Sequence, residues 1–122
     1  MLGFGRQTGD TGMMPAFQEI GGKLGPFHVT LIQIGAYGDA WPDWHLTPEQ
    51  AITAHSTLRG STLLPVHCGL FNLAYHSWRE PIDRLTRAGA AQQITIVTPR
   101  PGEAITIGSV LPATSWWAGA TR

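Results

Sequence analysis

Residues 63–71 read LLPVHCGLF. A strand-like apolar run stops on His67, and Cys68 and Gly69 follow. In α/β sheets, sites form beyond the carboxyl ends of strands. An imidazole placed there has two readings. It is a metal ligand offering a neutral nitrogen, or a buried histidine bonded to backbone.

Working outward, residues 27–34 (FHVTLIQI) are β-branched and nearly all apolar, and Gly35 ends the run. Such a stretch predicts a strand buried on both faces, as in a parallel or mixed sheet. Between the two strands, Thr47-Pro48-Glu49-Gln50 is a capping box with proline at the first helical position. The helix it opens runs to about Leu58 and places Ala51, Ile52, His55 and Leu58 on one face. Gly60 closes it. Beyond the opening stretch, Pro81 starts a short helix carrying Ile82, Leu85 and Ala88, with Gly89 as its stop. QITIVTP and EAITIGSV then predict two final strands around the turn Pro99-Arg100-Pro101-Gly102. Residues 3–15 (GFGRQTGDTGMMP) give little sign of an opening element before a glycine-rich turn at Gly9, Thr11 and Gly12. The order is strand, helix, strand, helix, strand, strand. That is an α/β domain with a mixed sheet.

Composition narrows the function. The 122 residues suit one small domain. Eight basic and eight acidic residues balance with no block of either sign, so nothing points to nucleic acid or an anionic membrane. No apolar run nears the roughly 20 residues of a transmembrane helix. Residues 1–10 lack the regions of a signal peptide. One cysteine excludes an internal disulfide framework and a multi-cysteine zinc site, and fits a reducing, cytoplasmic setting. Five histidines and five tryptophans stand out, since Trp44 precedes His45 and Trp78 follows His76 closely.

Among polar residues, Asp10 sits between glycines in TGDTG. A turn of that kind projects a carboxylate freely, or uses it on local amides. Asp10, Tyr37 and His67 each follow a strand or candidate strand, which makes them neighbours at one rim. His45 orients a substrate or donates a proton, or is a loop histidine. His55 on the apolar helix face reads as a core histidine, and His76 beside Trp78 as a pocket residue. Cys68 adjoins His67, but neighbours on an extended chain point to opposite sides, so Cys68 reads as packing. Asp10, His67 and at most His45 make an incomplete metal site, because zinc takes three or four protein ligands.

Four motifs in order carry a resemblance: GDTG, GPF-x-VTLIQIGAY, H-x-TPEQA-x-x-AH and LPVH-x-G-x-F-x-LAYHSWREP. Together they resemble the metallo-β-lactamase superfamily. The branch is that of the N-acylphosphatidylethanolamine-hydrolysing phospholipase D and the ascorbate-6-phosphate lactonase. The resemblance covers about residues 5–108, leaving 109–122 as a tail, and only the C-terminal half of such proteins. It implies half of an αββα sandwich, a mixed sheet with helices on one side, as a single domain over 1–122. The family's H-x-H-x-D-H metal motif is absent.

By position, Asp10 matches the aspartate bridging two metal ions, and His67 the last metal-binding histidine. His45 matches a histidine near the substrate, Tyr37 falls in the loop beside the site, and His76 matches a loop histidine. With Trp44 these form the implied substrate-binding set. Cys68 replaces the family's usual tryptophan, Leu70 a threonine, and His28 a common aspartate. The resemblance implies a hydrolase of an ester, lactone or phosphodiester, using two divalent ions, usually zinc, with manganese and iron as alternatives. It also implies a need for a missing half or for self-association as a homodimer. The alternative is a non-catalytic, homo-oligomeric module binding a small ligand.

Overall fold

The computed structural model describes residues 4–120. Strands and helices alternate: β1 (Gly5–Gln7), α1 (Ala16–Leu24), β2 (Phe27–Gln33), α2 (Pro48–Thr57), β3 (Gly60–Val66), α3 (Glu80–Ala91) and β4 (Thr95–Ile96). The strands lie in the order β1-β2-β3-β4, and every neighbouring pair is parallel. Crossovers between parallel strands are right-handed in nearly all proteins. A strand order that follows chain order therefore puts all three helices on one face. α2 lies between the other two, packed on both.

The α/β class and the one-sided helices agree with the sequence. The mixed sheet does not: among the described residues the sheet is parallel. Of the two final strands expected, only Thr95–Ile96 pairs, and residues 103–110 form no strand. Pro65 supplies a physical reason. Leu63 accepts from the Val97 N–H at 3.0 Å. Along a strand the backbone groups alternate sides, so the next rung toward β4 requires an N–H from residue 65. Proline has none. The chain peels away after Val97, and the Thr98 N–H is donated to the Pro112 carbonyl at 2.8 Å.

α2 forms as its sequence dictates. The Thr47 hydroxyl accepts from the Gln50 N–H at 3.2 Å, and the Gln50 amide oxygen accepts from the Thr47 N–H at 2.9 Å. Ala51, Ile52, His55 and Leu58 are all buried. α3 is longer than expected, because Gly89 does not stop it. A Cβ there would meet the Ile96 side chain at 2.3 Å, so this glycine serves close packing of α3 on β4. α1 was not anticipated from the sequence. Gly21 sits where a Cβ would meet the Thr57 carbonyl at 2.2 Å, so α1 crosses the end of α2 backbone to backbone.

Phe17, Ile32, Ile52, Leu58, Leu63 and Leu85 fill the space between helices and sheet. Thr30 faces them too, with its hydroxyl 2.7 Å from Nδ1 of the buried His55. By alternation, Val29, Leu31, Leu64 and Val66 lie on the opposite face, and all four are half-buried. Residues 113–120, which show no clear pattern in sequence, return to the domain. Trp117 is buried in the core, and its indole N–H is donated to Asp83 at 2.7 Å.

Candidate metal centre

The carboxyl ends of three neighbouring strands converge here. Asp10 lies three residues after β1, His45 in the loop between β2 and α2, and His67 directly after β3. Each offers one ligand atom, and these lie within 4.8 Å of one another. His67 Nε2 is 3.8 Å from Asp10 Oδ1. That is beyond hydrogen-bonding distance. The rings of His45 and His67 are 5.3 Å apart between centroids. The Asp10 side chain is 66% exposed and His67 30%, so the cluster opens to solvent at the rim.

Close backbone approaches set this geometry. A Cβ on Gly12 would meet the Asp43 carbonyl oxygen at 2.0 Å, which seats the Asp10 loop on the His45 loop. A Cβ on Gly35 would meet the His67 carbonyl oxygen at 2.1 Å, which seats the end of β2 on the His67 turn. The buried Gln33 donates its amide to the Thr11 carbonyl at 3.0 Å and ties the Asp10 loop to β2. His67 itself has φ +58°, a left-handed conformation that non-glycine residues rarely adopt. Such conformations cost about 1–3 kcal/mol and collect at functional sites.

The donor chemistry fits a divalent transition metal. One carboxylate and two imidazoles suit zinc, manganese or iron. Nδ1 of His45 and Nδ1 of His67 are both buried without a hydrogen-bond partner. Leaving such a group unmatched costs about 1–3 kcal/mol. His67 turns its other nitrogen, Nε2, toward Asp10, so a metal there would leave Nδ1 to a second partner.

The other candidates lie elsewhere. Tyr37 is buried, and its hydroxyl is donated to Glu80 at 2.7 Å. Burial, with that bond second, pushes its pKa up to about 12. His76 stacks on the Tyr37 ring at 4.2 Å rather than joining the donors. Tyr37 and His45 do share a cavity of about 90 Å³ with Thr47 and Gln50. Trp44 projects into solvent, 71% exposed. Cys68 packs against the core, and burial pushes its thiol up to about 11.

Sequence reasoning passed over the ties behind the site. Arg84 grips both carboxylate oxygens of Glu49, at 3.0 and 2.6 Å, and reaches Glu80 at 3.2 Å. Its guanidinium also lies 4.9 Å from the centre of the Tyr37 ring. The Arg84 bond holds the Glu49 carboxyl below its usual range, and the Tyr37 hydroxyl does the same for Glu80. The i,i+4 spacing of Glu80 and Arg84 was a readable signal. The reach to Glu49 was not, because it joins two helices.

The domain model described as "Beta-lactamase superfamily domain" matches residues 8–68, a span holding Asp10, His45 and His67. The chain belongs to the beta-lactamase superfamily, as a metallo-β-lactamase-fold domain. Among its relatives, an uncharacterized protein of Mycobacterium tuberculosis is 43% identical over 112 residues. That match covers 89% of this chain and 30% of the relative. An N-acyl-phosphatidylethanolamine-hydrolyzing phospholipase D of Caenorhabditis elegans is 36% identical over 81 residues, 63% of this chain and 23% of its own. In structure, the domain resembles a novel metallo hydrolase from the hyperthermophilic archaeon Ignicoccus hospitalis. The TM-score is 0.61 at 27% identity, over 80% of this chain and 37% of that one. The chain thus spans less than a third of the length of these two sequence relatives. No helix among the described residues is long and apolar enough to cross a membrane.

Proposed function

We propose that this chain supplies Asp10, His45 and His67 to a metal-dependent hydrolase centre acting on an ester, lactone or phosphodiester. The observation that carries the reading is the convergence of these three side chains beyond the carboxyl ends of neighbouring strands, with one ligand atom from each within 4.8 Å of the others. Bound divalent ions in such a centre polarise the scissile group and bring the pKa of water toward neutrality.

The chain's own residues then have separate tasks. Asp10 and His67 would hold the metal. His45 is the proton donor to the oxygen of the leaving group. Tyr37 shapes the small cavity beside His45, and Trp44 and His76 would be left to contact the outer part of the substrate. A two-ion centre needs more ligands than these. The others come from a partner half or from a second copy of the chain in a homodimer.

Metal content and native mass on the purified chain test this reading. Zinc should co-elute with the wild type and be lost from Asp10→Asn and His67→Gln, both still folded by circular dichroism. Wild-type protein that holds no zinc, manganese or iron either alone or with a partner half supplied overturns it. So does an Asp10→Asn variant that retains the full metal complement. A metal-free oligomer that binds small ligands would instead favour the non-catalytic module.

A further inference from the structure

His45 stands in the loop between β2 and α2, and one side chain of α3 holds that loop at both ends. Just past the far end, the Arg84 fork grips Glu49 in the first turn of α2, Nε at 3.0 Å and Nη2 at 2.6 Å. Near the start, the same guanidinium lies over the Tyr37 ring, 4.9 Å from its centre. Glu80 doubles this second hold. Its Oε1 accepts from the Tyr37 hydroxyl at 2.7 Å and from Arg84 Nη1 at 3.2 Å.

Between the two holds the loop is braced from within. The Trp41 indole N–H is donated to the Ala36 carbonyl at 2.8 Å. The backbone N–H of Trp41 is donated to the Gly38 carbonyl at 3.0 Å, and that of Trp44 to the Trp41 carbonyl at 3.3 Å. A segment bonded to itself in this way moves as one piece, so its end points decide where it stands. Nδ1 of His45 adds no bond, being buried without a partner. The ring takes its place from the loop, with the His67 ring 5.3 Å away between centroids.

A strut between α2 and α3 is the plainer reading of Arg84, and the pair with Glu49 would suffice for it. Tyr37 is what it leaves unexplained. This residue belongs to neither helix, yet it meets both the guanidinium and the shared Glu80 oxygen. A lysine, as a point charge, could serve as a strut. Only a planar fork pairs with a carboxylate through its edge while its face lies on a ring.

We infer that Arg84 is a positioning residue: by holding Tyr37 and Glu49 together it fixes His45 against Asp10 and His67. That the fixed imidazole works on a substrate rests on the hydrolase reading. The positioning does not, because it is read as the separation of two rings, with or without a metal.

Proton NMR of the full chain in EDTA tests this through the nuclear Overhauser contact between the His45 and His67 rings. The wild type should show the contact. Arg84→Met and Arg84→Lys should both lose most of it, although Arg84→Lys keeps the charge and should melt closer to the wild type. Trp117→Phe is the control: it removes the indole bond to Asp83 on the same helix, and should lower the melting temperature with the contact intact. Zinc affinity of Arg84→Lys should fall about tenfold, a loss of 1.4 kcal/mol. An intact contact in folded Arg84→Met or Arg84→Lys overturns the proposal, as does an equal loss in Trp117→Phe or a wild type without the contact. Loss of the contact as expected, in a protein that binds no metal even with a partner half supplied, would sink the hydrolase reading and leave the positioning standing.

Discussion

Gly35→Ala separates a glycine that turns the chain from one that holds the site together. Gly35 is not in the left-handed region, so alanine strains no backbone dihedral there. The cost is contact. Its Cβ would lie 2.1 Å from the His67 carbonyl oxygen, whereas ordinary contact begins near 3.4 Å. One side must retreat by about 1.3 Å. Both are backbone, so no flexible side chain can absorb the shift. Overpacking of this kind costs about 1–3 kcal/mol. For a domain of this size that lowers the melting temperature by roughly 4–12 °C. The displaced element carries His67, so zinc affinity should fall as well, by tenfold or more. Gly22→Ala in α1 is the control, with nothing within 4 Å of its Cβ. It should stabilise by about 0.5–1 kcal/mol, as alanine is the better helix former. Calorimetric melting and zinc titration of both variants decide the matter. A Gly35→Ala protein with wild-type melting and wild-type zinc affinity would refute the close-approach argument.

Other perturbations follow from the same structure. Thr47→Ala removes one half of the capping box and should cost about 1 kcal/mol in urea unfolding, without change in metal content. Arg84→Met leaves Glu49 and Glu80 without their guanidinium. Because Arg84 is one-third exposed, the loss should be modest, about 1–2 kcal/mol for the network. Carbon-13 NMR titration should show the Glu49 carboxyl rising back toward its ordinary value of 4.5. Burial depresses the His55 pKa below its model-compound 6.5. The unfolded chain therefore takes up the proton first, so stability should decline as pH falls below about 6.5. Urea midpoints at pH 7.5 and 5.5 measure this, and His55→Gln should flatten the dependence across that window.

The difference between what was legible and what was not follows the range of the forces. β2, β3 and α2 rest on local signals: a β-branched apolar run and a Thr-Pro-Glu-Gln cap act within a few residues. Asp10 and His67 were also readable as one rim, since strand ends in an α/β sheet face one side. α1 and the length of α3 were not, because Gly21 and Gly89 are glycines for the sake of contacts with Thr57 and Ile96, residues on other elements. QITIVTP and EAITIGSV both read as strands, yet β4 spans only Thr95–Ile96, residues 103–110 form none, and the adjoining edge of β3 carries Pro65.

The sequence by itself therefore determined the α/β class, the family and two of the converging donors. Each depends on residue types at fixed short spacings. Only the tertiary structure decided that His45 completes the cluster and that Tyr37 and His76 turn away toward α3. Those outcomes depend on which backbones approach within a methyl group of each other, at Gly12 and Asp43 and at Gly35 and His67. Packing between distant segments sets such distances, and no local pattern of residues encodes them.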